Sequence, residues 1–120
     1  MENFKKIYTF SDLIDIMKVL RGENGCPWDK AQTLYSMKKD MIEEAFELLE
    51  ALDNKDIDNI KEELGDLLLH VVMHSQIAGE EKLFNISDVI KEQNEKLIRR
   101  HPHVFSKETL KTKEEVLKKW

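Results

Sequence analysis

Four carboxylates set what chemistry this chain could do. Glu44 with Glu47, and Glu63 with Asp66, form two pairs at three-residue spacing inside segments that otherwise read as apolar helix walls. On a wheel of about 100° per residue, Glu47 falls about 60° to one side of Glu44, while Met37, Met41, Ala45, Leu48 and Leu52 begin about 20° to the other. Asp66 stands in the same relation to Glu63, with Ile60, Leu64, Leu67 and Val71 opposite. Both pairs therefore border a core, whereas Glu43, Glu50 and Glu62 turn toward solvent. A link of two to three residues folds the two helices into an antiparallel hairpin, which can bring the four acids onto one seam. Four adjacent carboxylates cannot all stay ionised unless a cation offsets their repulsion and desolvation. An all-oxygen donor set selects Mg²⁺, with Mn²⁺ as a substitute, rather than zinc.

The ordinary reading of such pairs is a solvated charge run, since Glu is a good helix former and E-x-x-E is common on exposed faces. Two pairs at matching core-border positions on adjoining helices favour the metal cradle instead. Gly65 adds to this: a mid-helix glycine costs about 1 kcal/mol relative to Ala, and leaves room for another backbone or a ligand.

Two bases stand in a comparable place. Lys96 and Arg100, four apart, share the edge of an apolar arc formed by Ile90, Leu97 and Ile98, while Arg99 points away. Together they suit phosphate oxygens, the Arg through its planar fork and the Lys as a point charge; alone, each could equally snorkel over apolar surface. Asn94 lies inside that arc, where a buried amide needs partners, either in a ligand pocket or to fix helix register. Trp28, with Asp29 and Gln32, offers a stacking face for a base or a plug beside Pro27. His70 and His74 follow Asp66 by one and two turns, which keeps open both a His-containing site and a structural role.

The elements that must position these groups are helices. Ser11 is a candidate cap for a first helix carrying Leu13, Ile14, Met17 and Leu20, followed by a loop at GENGCPWD. A second spans about Leu34 to Asp53, and a third, capped by Asp56, runs to about Gly79. Ser87 can cap a fourth, which stops near His101 because the residue before Pro102 is pushed out of the α region. A short helix from Lys113 to Trp120 completes an all-α reading: four to five helices in an antiparallel bundle completed by dimerisation, with a tetramer as the alternative. At 120 residues the chain is expected to be one domain, 1–120.

Composition narrows the classes. No apolar run approaches the roughly 20 residues of a membrane span, the N-terminus lacks a signal-peptide core, and a single Cys26 cannot pair within the chain. A soluble, cytoplasmic protein without a membrane partner is expected. Residues 40–66 hold eleven Asp or Glu against two Lys, a net −9, whereas residues 91–120 hold nine Lys or Arg against five Glu, a net +4. An acidic centre with a basic arm fits a cation plus a small anionic ligand, not a nucleic-acid polymer.

With these residues in view, the chain resembles the MazG family of nucleoside triphosphate pyrophosphohydrolases, within the all-α NTP pyrophosphatase superfamily. Its signature, E-E-x-x-E followed by E-x-x-D, matches Glu43-Glu44-Ala45-Phe46-Glu47 and Glu63-Leu64-Gly65-Asp66, and the stretches GCPWDKAQT, EELGDLLL and KLIRRHPHVF are similar as well. The resemblance covers about Leu13 to Phe105 and runs on to Trp120. It implies a Mg²⁺-binding helical dimer that hydrolyses a nucleoside triphosphate to monophosphate and pyrophosphate. It further implies Glu44, Glu47, Glu63 and Asp66 as metal ligands, Glu43 in an assisting role, Lys96 and Arg100 as phosphate-binding bases, and Trp120 near the nucleotide. Two other classes compete: a non-catalytic helical module that keeps the metal for stability, and a di-iron or di-manganese carboxylate bundle, which wants Glu-x-x-His pairs that neither acidic helix provides.

Overall fold

A computed structural model describes residues 7–106 and 111–120, and among them the only regular elements are helices. In chain order these are α1 (Phe10–Leu20), α2 (Pro27–Ala31), α3 (Lys38–Asp53), α4 (Ile57–Glu80), α5 (Ile86–Arg100), α6 (Pro102–Phe105) and α7 (Lys113–Leu117). The chain divides into two compact units, one ending at Leu83 and the other beginning at Phe84. No helix among the described residues is long and apolar enough to cross a membrane.

Among the described residues seven helices replace the expected four to five, because each proline opens a short helix of its own. Pro27 and Pro102 occupy the first turns of α2 and α6, where a preset φ helps and the missing N–H costs nothing. The caps also differ from expectation in a consistent way. Thr9, not Ser11, caps α1, and Asn85, not Ser87, caps α5. In each case the cap faces an Asp three residues on, so that two backbone donors are satisfied reciprocally. Asp12 N–H donates to Thr9 at 3.2 Å and Thr9 N–H to Asp12 at 2.8 Å, and the bonds between Asn85 and Asp88 are 3.0 and 2.9 Å. The start of α3 falls at Lys38 instead of Leu34. Before it, the Ser36 hydroxyl accepts the Thr33 N–H at 2.9 Å and donates to the Gln32 side chain at 2.7 Å, local bonds that compete with a helix.

The hairpin itself follows the sequence closely. Asp56 caps α4 by accepting the Asn59 N–H, and the link Asn54, Lys55, Asp56 turns through a left-handed Lys55 at φ 54°. Asp56 N–H then reaches back to the Ala51 carbonyl at 3.0 Å, closing the end of α3.

Around α4 the first unit is unevenly filled. Its C-terminal half buries Val72, Met73 and Ile77 against Met17 of α1 and Met37, with Leu13, Ile14, Leu20 and Leu34 packed around them. Arg21, at the end of α1, locks this end: its guanidinium donates to the backbone carbonyls of Asp29 and Gln32 and pairs with Glu80 at 3.0 Å. The apolar stripe expected to bury α3 does not find a core within one chain. Leu49, Leu52 and Met41 stay exposed, as do Leu64 and Leu68 in the N-terminal half of α4, since α3 packs mainly on α4. The second unit pairs α5 with α6.

Candidate metal centre

Antiparallel packing of α3 and α4 brings Glu44, Glu63 and Asp66 together, one carboxylate oxygen of each within 4.8 Å of the other two. All three residues are half-buried. Glu44 Oε2 and Glu63 Oε2 are fully enclosed without a hydrogen-bond donor. The ion pairs seen among the described residues, Arg21 with Glu80, Lys39 with Glu43 and Lys91 with Glu95, do not reach this cluster.

Crowded like charges respond by holding a proton. Burial is the largest reason that the Glu44 carboxyl is pushed up to about 8, followed by the close approach of the Glu63 carboxyl and then the charges of Asp66, Glu47 and Glu63. For Glu63, the approach of Glu44 alone would favour ionisation, but burial and the nearby Glu47 and Asp66 carboxyls outweigh it, so this carboxyl is raised too. Two carboxyls this close titrate as a unit. The alternative to the proton is a cation. Two enclosed oxygens with no donor, in an all-oxygen set, fit a hard divalent ion, so the cluster could hold a metal.

The other expected site residues are distributed as follows. Glu47 is exposed beside Glu63, outside the three-carboxylate cluster but close enough to raise it. Glu43 is exposed and lies 4.0 Å from Lys39. Trp28 on α2 stays exposed rather than plugging the core, and its carbonyl accepts a bond from the Gln32 side chain. In the second unit, Lys96 and Arg100 are half-buried along α5 and Asn94 is exposed. Trp120 lies against the Arg100 guanidinium, 5.5 Å from Cζ to the ring centroid, and meets the His101 ring edge-on at 5.5 Å.

Sequence reasoning passed over Asp40. It is half-buried on α3 one turn before Glu44, and its charge acts on His70 of α4. The signal was available: on the wheel Asp40 falls about 40° from Glu44, on the Glu47 side.

A helical hairpin with convergent carboxylates defines the class as an all-α protein with an acidic seam that could hold a cation. Residues 32–105 match the model of the MazG nucleotide pyrophosphohydrolase domain, and the chain belongs to that family. It is 58% identical over 96 residues to the nucleoside triphosphate pyrophosphohydrolase/pyrophosphatase MazG of Thermotoga maritima, covering 80% of this chain and 38% of that protein. To the nucleoside triphosphate pyrophosphohydrolase of Escherichia coli it is 45% identical over 109 residues, covering 90% of this chain and 41% of the other. The chain thus spans about two-fifths of the length of these relatives. The crystal structure of a mazG-related protein from Thermotoga maritima superposes with a TM-score of 0.74 at 27% identity, over 92% of this chain and 94% of that one.

Proposed function

We propose that the chain is a single domain, 1–120, that hydrolyses nucleoside triphosphates to monophosphate and pyrophosphate by attack at the α-phosphorus, with Mg²⁺ as cofactor and Mn²⁺ as a substitute. What carries this reading is the convergence of Glu44, Glu63 and Asp66 with two enclosed, donorless oxygens, in a chain of the MazG family.

In this account Glu44, Glu63 and Asp66 hold the cation, and Glu47 beside Glu63 supplies a fourth carboxylate. When bound, the divalent ion offsets phosphate charge and lowers the pKa of water, the two needs of in-line phosphoryl chemistry. Glu43, further round α3, orients a water or a ligand carboxylate. Lys96 and Arg100 on α5 present two positive charges one turn apart, suited to the remaining phosphate oxygens, and Trp120, Trp28 and Asn94 supply stacking faces and an amide for the nucleoside. The exposed apolar faces of α3 and of the N-terminal half of α4 favour a homodimer as the working form, with a tetramer as the larger possibility. The biological role is removal of unwanted nucleotides from a cytoplasmic pool.

Product analysis tests the reading. Incubated with a panel of ribo- and deoxyribonucleoside triphosphates, the protein should yield monophosphate and pyrophosphate with Mg²⁺ and nothing with chelator. Diphosphate and phosphate would overturn the assignment of the attacked phosphorus. Mg²⁺-dependent stabilisation without turnover would instead indicate a non-catalytic metal-stabilised module.

A further inference from the structure

His70 is a buried polar group that the account so far does not use. Two other histidines, His74 within α4 and His101 at the end of α5, turn Nδ1 to the carbonyl four residues back, 2.7 Å from His70 O and Leu97 O respectively. The same option, the Asp66 carbonyl, is open to His70 and is not taken. Its side chain is buried, with the residue only 6% exposed, and Nδ1 has no partner. A buried unpaired nitrogen is costly, so its persistence wants a reason.

Position supplies one. Helical side chains lean toward the N-terminus, so the His70 ring leans over the turn that carries Asp66. Asp66 and, from α3, Asp40 both act on the ring's charge, and the His74 ring lies 5.9 Å away on the next turn.

We propose that His70 is a positioning residue for the acid cradle, its Nδ1–H serving the carboxylate oxygen of Asp66 that the cation does not take. The inference rests on the metal-cradle reading above. One oxygen of Asp66 belongs to the cluster with Glu44 and Glu63, which leaves the second to be oriented. Ligating carboxylates generally need such a partner, and losing it weakens metal binding without removing a ligand.

The test compares the full-length protein with His70→Leu, which keeps bulk and removes the donor, and His70→Asn, which places an amide near Nδ1. Mn²⁺ is titrated without nucleotide and followed by electron paramagnetic resonance, while melting in chelator reports folding. His70→Leu should bind Mn²⁺ about tenfold or more weakly and His70→Asn within about threefold of the parent. Equal affinity in His70→Leu overturns the proposal, and so does an equal loss in both variants, which would mark a packing role. A parent protein that binds no Mn²⁺ sinks the cradle itself, and this inference with it. Should His70→Leu fail to fold, nitrogen NMR of the parent decides: a His70 Nδ1–H that becomes protected from exchange on adding Mg²⁺ supports the assignment, and an unchanged signal overturns it.

Discussion

The two ends of α4 handle buried charge in opposite ways. At the C-terminal end, Glu80 meets Arg21, whose side chain is only 8% exposed and also satisfies two backbone carbonyls; the Arg21 bond holds the Glu80 carboxyl below its usual range. Toward the N-terminal end, Glu63 and Asp66 meet Glu44, and the Glu44 carboxyl is pushed up instead. One end supplies its own countercharge, and a core of Val72, Met73 and Ile77 sits beside it. The other has no cation paired with it among the described residues. The difference separates a structural use of charge from a functional one: a pair completed within the fold adds stability, whereas like charges gathered at a core border cost stability and are useful only when a ligand relieves them.

The strongest way to break that contrast is to remove an acid from the cluster. Glu44→Gln should lower turnover by more than about 100-fold, beyond what loss of a supporting group costs, while melting in chelator at pH 7 rises because a neutral amide needs no proton uptake on folding. Activity and stability moving together would erase the distinction between the two ends. At the other end, Arg21→Ala should cost about 2–3 kcal/mol in urea unfolding, since two carbonyls and Glu80 lose their donor, and should leave Mn²⁺ affinity unchanged.

Acidity sharpens the comparison. The folded Glu44 carboxyl keeps a proton that an unfolded one, with its ordinary value of 4.5, gives up, so the native state binds more protons between 4.5 and about 8. Stability in chelator should therefore fall as pH rises through that window, and Mg²⁺ should flatten the fall. Glu80 runs the other way: its lowered carboxyl adds stability above 4.5 that is lost as pH drops below it. Melting scans with and without Mg²⁺, in the parent and in Glu80→Gln, separate the two slopes. The smallest effect belongs to Gly65, where an added Cβ would meet no atom within 4 Å. Gly65→Ala should stabilise the chelated protein by about 1 kcal/mol, measured by urea unfolding. A simultaneous loss of activity would indicate that a ligand or a second copy approaches there.

Much of this was legible in the sequence, and the reasons are local. Asp56 as a cap, the stop before Pro102 and the shared border position of Glu44 and Glu63 follow from periodicity and backbone sterics, which one strand of sequence carries in full. Pairing of Thr9 with Asp12 and of Asn85 with Asp88 was equally local but went unread, because Ser11 and Ser87 are good caps considered singly and the box needs both ends. The exposed Leu49 and Leu52 were not legible: periodicity shows that a face is apolar, not whether its own chain covers it. Asp40 and His70 fall between these cases, since each lies on the acidic stripe of its helix but only the packing of α3 on α4 makes them neighbours.

The central claim, that the seam of α3 and α4 is completed by a divalent cation, is tested most directly by calorimetric titration with Mg²⁺ at pH 7 in two buffers of different ionisation heat. Because Glu44 holds its proton up to about 8, binding should release a proton, and the apparent heat should differ between buffers by an amount that shrinks in Glu44→Gln. Absence of binding, or binding whose heat is the same in both buffers, would contradict it.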